Sequence, residues 1–314
     1  MLRLAANLLA GAAFVGLGGI GVAALSRIGH RWADILAQFT APALAAVVLT
    51  LLTCLVLRLW PAALIGTGAA LLLLLAVWPQ WAPPRGRPEP GTSAVRLYSA
   101  NLWAWNEQVE AIDRSIQGAE ADMVILVEVG DAPAAQLDRL LADYPHRVST
   151  PRIDRPTGAA RTVIASRWPI LHTIEDKPDG LHAIGAVIDS PLGPLNLVAV
   201  HLTRPWPYQY QWGQITQVMA LTELRAGLTG PVIVAGDFNS VSSARIGRQV
   251  QSQAGLLPAP GFPGTWPTRL PAFAGITIDQ VYRSPDLALV GRRLGAPTGS
   301  DHRPVVTEFR TAVR

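Results

Sequence analysis

Three stretches in the first third of the chain carry no charged side chain: residues 5–25, 39–57 and 61–78. Each is close to the roughly 17–25 residues a helix needs to cross a bilayer. Residues 71–75 are five consecutive leucines. Trp32, Trp60, Trp78 and Trp81 fall near the ends of the stretches, as an interfacial aromatic belt would. The pattern predicts three transmembrane helices, about 5–25, 39–57 and 61–78, in a membrane domain of residues 1–81. Two blander readings stand beside it. The first stretch has the length of a cleaved signal peptide, although no clean A-x-A site ends it and two further stretches follow. All three together also suit a buried helical core.

Charge is segregated in the same way. Only 15% of the 314 residues are charged, against about 25% in ordinary soluble domains. Residues 1–89 hold six Arg, no Lys and two acids, Asp34 and Glu89, while the remainder holds 20 basic and 20 acidic residues. The net +4 therefore belongs wholly to the apolar third, and the rest is neutral. That weakens a polyanion-binding role, which rests on clustered positive charge. The single cysteine, Cys54, excludes an internal disulfide framework. With three spans, placing Arg27, Arg31, Arg85 and Arg87 inside leaves Arg3 and Arg58 outside, a thin bias towards a cytoplasmic C-terminal domain.

Residues 82–92, containing PPRGRPEPG, form a Pro-rich linker that stops the last apolar helix and keeps the chain extended. Residues 93–314 then have the periodicity of a single α/β or α+β domain. Strands are predicted over 95–100, 123–127, 162–166, 183–189, 195–201, 231–235, 277–282, 287–290 and 304–309. Helices are predicted over 106–118, around Leu137, Leu140 and Leu141, and over 208–224.

Polar residues that strands do not need sit at several strand ends. Asn101 follows the first strand, Glu128 follows MVILV, and His201 ends LNLVAV. Asp237 and Asn239 follow PVIVAG, Asp279 closes GITI, and Ser300-Asp301-His302 precedes the last strand. Carboxylates supply the oxygen ligands that Mg²⁺ prefers. A paired Asp and His can hold an imidazole in one tautomer. Singly, each residue also suits a turn, an Asx turn or helix cap, or a satisfied core histidine.

Together, SANLW, LVEV, VAVHLT, VAGDFNS, IDQVY and GSDHRP run in one order across residues 93–310. That order resembles the endonuclease/exonuclease/phosphatase superfamily, the DNase I-like fold. RTVIASRWPI resembles a further strand of that family. The resemblance implies a four-layer α/β sandwich with two central sheets. It also implies roles. Glu128 would be the principal Mg²⁺ ligand, with Mn²⁺ a substitute, and Asn101 and Asp301 would complete or orient the metal site. Asp237 would position or activate the attacking water, and Asn239 would contact phosphate. Asp279 and His302 would form the Asp–His pair at the scissile phosphate, with His201 contacting phosphate or assisting the leaving group. Val127 stands where the family commonly has Gln before its Glu, which removes a polar neighbour.

Fold alone does not choose the phosphoester. Trp103, Trp105, Trp206, Trp212 and Trp266, with Pro205, Pro207, Tyr208 and Tyr210, lie near the site motifs. They suit an apolar rim for a lipid, stacking on bases, or ordinary core packing. Three apolar stretches before such a domain resemble the bacterial membrane-bound group that includes the VanJ-type teicoplanin-resistance proteins. That likeness implies a multi-pass protein of the bacterial cytoplasmic membrane, an extracytoplasmic catalytic domain and a lipid phosphate or polyprenyl diphosphate substrate. The alternatives are a membrane-tethered nuclease, with a basic groove from Arg161, Arg204, Arg245 and Arg248, and a catalytically silent membrane scaffold.

Overall fold

The computed structural model describes residues 1–150, 161–174, 178, 180–205 and 211–313. Four helices come first: α1 (Leu2–Ser26), α2 (Arg31–Ala37), α3 (Thr40–Val56) and α4 (Trp60–Trp81). The long helices α1, α3 and α4 pack on one another. Their contact surfaces are largely small: α4 buries Ala62, Ala63, Gly66 and Ala69, and leaves Leu64, Leu71 and Leu75 exposed. Small residues let helix backbones approach closely, and outward leucines suit a lipid surround. α1 and α4 are each long and apolar enough to cross a membrane. α2 and α3 meet at a 58° bend and pass that test only as a pair.

The remaining chain forms two mixed six-stranded sheets. Its elements are β1 (Val95–Asn101), α5 (Val109–Ala119), β2 (Met123–Val129), α6 (Asp131–Ala135), α7 (Leu137–Leu140), β3 (His146–Ser149), β4 (Arg161–Ser166) and β5 (Ile170–Thr173). There follow β6 (Ala183–Ser190), β7 (Gly193–His201), α8 (Gln211–Gly227), β8 (Val232–Asp237), α9 (Arg245–Gln253) and β9 (Leu257–Pro258). A 3₁₀ turn (Ala272–Ala274), β10 (Asp279–Arg283), β11 (Leu287–Leu294) and β12 (Val305–Thr311) complete it. One sheet runs β11-β12-β1-β2-β4-β3 and the other β5-β6-β7-β8-β10-β9.

The continuous apolar run in β2 explains the layering. Met123, Ile125 and Val127 enter the core between the sheets, where Ile184, Leu197, Ala199 and Ile233 meet them. Val124 and Leu126 point the other way, into a cluster with Ile112 and Ile116 of α5. A strand covered on both faces needs no polar alternation. β7 behaves likewise: Leu197 and Ala199 face the central core, while Val198 and Val200 meet Val218 and Leu221 of α8. Ile125 is fully buried, and truncating such a side chain to Ala costs roughly 2–5 kcal/mol. Two sheets face to face with helices outside make a DNase I-like α/β sandwich.

Several boundaries differ from the sequence expectation for local reasons. The helix expected from residue 106 begins at Val109, because the Asn106 side chain accepts from the Gln108 N–H and donates to Thr298 O, fixing a loop. The helix expected over 208–224 is described from Gln211 to Gly227, residues 208–210 lying outside the described residues. The strand expected from residue 277 starts at Asp279, since the Thr277 hydroxyl donates to Gly261 O instead.

The linker and the apolar helices are docked on the sandwich. Arg85 O accepts from Leu289 N, Glu89 N donates to Thr311 O, and Arg87 O accepts from Val313 N. Buried Ala24, Ala37 and Ala76, one each from α1, α2 and α4, pack with Val241, Ala244, Ile276 and Ile278. Gly261 N donates to Gln80 O, and the rings of Trp81 and Phe262 lie 5.2 Å apart.

Candidate active site

The carboxyl ends of two parallel strand pairs assemble the cluster. β1 and β2 are parallel, with Asn101 opposite Val127, which places Glu128 one residue beyond. β7 and β8 are parallel, with His201 opposite Asp237. β10 runs antiparallel to β8 and starts with Asp279 directly opposite Asp237. Five separate strands thus deliver polar side chains to one edge of the stacked sheets.

Glu128 reaches that edge through an irregularity. The β2–β4 register shifts between Leu126 and Val129, and Glu128 has φ 52. A left-handed conformation is uncommon for a residue with a Cβ and marks a backbone held in place by its surroundings. Gly130 follows, where a Cβ would lie 1.9 Å from Ala104 O. Only glycine permits that approach, and it brings the Ala104 N–H to 3.3 Å from Glu128 Oε2. Gly236 does the same for Asp237: it has φ 137, and a Cβ there would sit 2.0 Å from Val200 O.

Asn101 orients the carboxylates. Its Nδ2 donates to Glu128 Oε1 at 2.9 Å and to Asp237 Oδ2 at 3.0 Å, while its Oδ1 accepts from Trp103 N. Asn101 thus orients both carboxylates through its amide nitrogen, and its oxygen keeps a second lone pair. His201 Nε2 lies 3.3 Å from Glu128 Oε1 and 3.8 Å from Asp237 Oδ2. Asp237 Oδ1 accepts from Asn239 N at 2.7 Å, an Asx turn, and Asn239 has φ 47. Asn tolerates that conformation better than most residues. Its Nδ2 donates to Leu202 O at 2.9 Å. The turn and the site are one structure.

His302 Nδ1 lies 2.9 and 3.0 Å from the two Asp279 oxygens, leaving Nε2 for other partners. The Ser300 hydroxyl accepts from His302 N and fixes the approach. Burial alone pushes the His302 imidazole down. The Asp279 charge and hydrogen bond, with Asp237 and Asp301 behind them, outweigh it and hold the imidazole up at about 10. Burial pushes the Asp237 carboxyl up to about 6; Asp279 adds to this, and His302 and His201 oppose it.

Two sets of ligand atoms lie within 4.8 Å of one another: Glu128, His201 and Asp237, and Asp237, Asp279 and His302. This oxygen-rich set fits a hard divalent cation, whose charge would offset the crowding of buried carboxylates. Asp301 stands apart. Its side chain is 52% exposed, 3.9 Å from His302 Nε2, and accepts from Trp266 Nε1 at 3.0 Å. The sequence expectation groups Asp301 with Glu128 at the metal; in the structure the side chains nearest Glu128 are Asn101, His201 and Asp237.

Neighbouring residues that the sequence reading missed also converge here. Gln214 on α8 donates to Phe238 O and Asn239 O. Gln217 accepts from Thr203 N, two residues past His201. Gln211, Gln214 and Gln217 are all buried on a helix that also buries Ile215, Val218 and Leu221. Amides at every third position of a helix face are the signal that marks them. Gln38 is less legible: it comes from the α2–α3 junction and bonds Ser240 and Val241, just past Asn239.

Trp103 and Trp105 are exposed, on the loop that bonds Asn101 and Glu128. Trp206, Pro207, Tyr208 and Tyr210 lie outside the described residues. Of the four arginines considered for a basic groove, Arg245 turns to Asp34 of α2 at 3.5 Å, and Arg248 donates to Ser243 O. Arg161 pairs with Val129, and Arg204 is exposed.

Solved structures share this architecture. An endonuclease/exonuclease/phosphatase protein from Beutenbergia cavernae is similar with a TM-score of 0.56 and 20% identity, over 70% of this chain and 72% of that one. One from Bacteroides vulgatus gives 0.57 and 16%, over 70% of this chain and all of that one. The human Nocturnin catalytic domain, solved with a bound sulfate anion, gives 0.52 and 16%, over 73% of this chain and all of that one. At such identities the likeness speaks for the fold. No curated protein sequence matches the chain. The family model described as Endonuclease/Exonuclease/phosphatase matches residues 97–302, more than half of the chain and all eight of the predicted site residues, and the chain belongs to that family.

Proposed function

We propose that this protein is a membrane-anchored, Mg²⁺-dependent phosphoesterase whose substrate is a lipid phosphate or polyprenyl diphosphate. One observation carries the lipid reading. The apolar helices dock beside the catalytic edge, on the residues that follow Asn239 and precede Asp279. A phosphate held at a bilayer surface is then the nearest substrate. Exposed Trp212, Phe262 and Phe273 lie close to that junction: Trp212 follows Gln211, which bonds Asp34, Phe262 stacks on Trp81, and Phe273 sits in the turn packed on α3. Aromatic rings at helix ends suit the headgroup layer. In this reading the two or three apolar helices anchor the enzyme as a multi-pass protein in a bacterial cytoplasmic membrane, with the catalytic domain outside the cytoplasm.

In this reading Glu128 holds the cation, with Asp237 and His201 beside it and Asn101 orienting both carboxylates. When bound, Mg²⁺ or Mn²⁺ supplies Lewis-acid stabilisation of charge on the phosphate. Asp237 positions the attacking water and accepts its proton. His302 keeps its Nδ1–H on Asp279 and presents Nε2–H to a phosphate oxygen, where charge develops. Asn239 and His201 flank the phosphate, with His201 available to the leaving oxygen. Asp301 lies at the rim under Trp266.

Full-length protein in detergent should release phosphate from a polyprenyl diphosphate with Mg²⁺, and Glu128→Ala should not. No release, from protein that still binds Mg²⁺, would sink this substrate and bring DNA nicking and phosphodiester lipids forward. The positions of Arg245 and Arg248 speak against the nuclease. Replacing Trp212 and Phe273 together by Ser should raise the apparent KM for a vesicle-embedded substrate about tenfold. The KM for a water-soluble aryl phosphate should stay unchanged; equal effects on both would remove the membrane-surface role.

A further inference from the structure

The element that connects α1 to α3 is short, polar in parts, and buried against the catalytic edge. Asp34 and Gln38 are each 3% exposed. In an otherwise apolar third, two buried polar side chains need partners, since a buried polar group left unpaired is destabilising. Both find them on the sandwich. Gln38 Oε1 accepts from Val241 N at 2.7 Å, and its Nε2 donates to Ser240 Oγ at 3.2 Å. Asp34 Oδ2 accepts from Gln211 Nε2 at 2.6 Å.

These two arms end on the surroundings of one residue, Asn239. Ser240 and Val241 follow Asn239 directly. Gln211 begins the helix from which Gln214 donates to Asn239 O and Phe238 O. Asn239 holds φ 47 in the Asx turn of Asp237. A turn in that region persists only when its neighbours fix it. From the structure we infer that α2 and its junction with α3 are a positioning brace for the Asp237–Asn239 turn, with Gln38 as its principal residue. The membrane bundle is therefore part of the machinery that shapes the phosphate site, and its work is not confined to anchoring. This rests on the reading of Asn239 as a phosphate contact.

The test separates the brace from the anchor. Full-length Gln38→Leu in detergent is assayed on a water-soluble p-nitrophenyl phosphoester, for which membrane attachment plays no part. kcat should fall roughly tenfold or more, with KM within about twofold, because a displaced group costs alignment and not affinity. Gln38→Glu keeps an oxygen facing Val241 N–H and the Ser240 hydroxyl, and should recover most of the loss. Amide exchange across residues 236–244 should quicken in Gln38→Leu while β1, β2 and β7 exchange as before. Ser240→Ala, which removes only the weaker contact, should show a smaller version of both effects and guards against a variant that fails to fold. Unchanged exchange over 236–244 overturns the brace whatever the activity. So does equal kcat in Gln38→Leu and the parent. If the parent turns over no phosphoester while exchange does quicken, the brace stands and the enzymatic reading falls.

Discussion

Glu128→Gln loses divalent-cation binding and turnover together. The change keeps size and shape and removes one negative charge from the edge where Glu128, His201 and Asp237 meet within 4.8 Å. Asn101 Nδ2 and Ala104 N–H both donate to the wild-type carboxylate. A Gln amide accepts through one oxygen only, so its NH₂ must face either a donor or the cation. Both placements are unfavourable. Turnover should fall by about 10³-fold or more, the scale expected when a cation that stabilises phosphate charge is lost. Titration calorimetry with Mn²⁺ and phosphate release, measured on one preparation, check it. A variant that still binds the cation as tightly as the parent would show that Glu128 is not its principal ligand. Thermal stability should change little, since the lost charge repulsion with Asp237 offsets the mismatched amide; a large loss would point to a structural role instead.

The fold was legible where one physical rule acts alone. MVILV, LNLVAV and PVIV are apolar without alternation because each strand is covered on both faces. Their ends are polar because the chain leaves the core there, which is why the site residues could be read at strand ends at all. Short edge strands such as β3, β5 and β9 carry too few buried residues to announce themselves. The docking of the bundle was not legible. PPRGRPEPG reads as a tether, yet its backbone pairs with β11 and with the end of β12. Pairing of that kind uses main-chain groups and leaves no trace in side-chain pattern. Asp34 and Gln38 look like ordinary linker polarity until the surface they face is known. The bond between Asp301 and Trp266, 35 positions apart, was likewise not legible, because nothing in either motif announces it.

Asp279→Asn tests the other half of the site. Asn keeps an oxygen that can accept from His302 Nδ1–H, so the ring stays in place and only the charge is lost. With Asp279 neutral, burial dominates at His302 and pulls the imidazole down from about 10, the sign following from its causes. The ring then gives up its proton at a lower pH than in the parent, and its positive charge at the phosphate is weakened. kcat should drop by about 10²–10⁴-fold with KM little changed, since the interaction lost is one that strengthens as charge develops. His302→Ala should do about as much, and the double variant Asp279→Asn/His302→Ala no more than either. That non-additivity is what a pair acting as one unit requires. Additive losses would instead mean that Asp279 works independently, through its place opposite Asp237 in the β8–β10 ladder. Cation binding should be nearly unchanged in Asp279→Asn, because Glu128, Asn101 and His201 are untouched. The two variants thus test the proposed division between a cation-holding corner at the Glu128 bulge and a phosphate-holding corner at the Asp279–His302 pair. Asp237 belongs to both ligand clusters, and it is the residue through which water attack would join them.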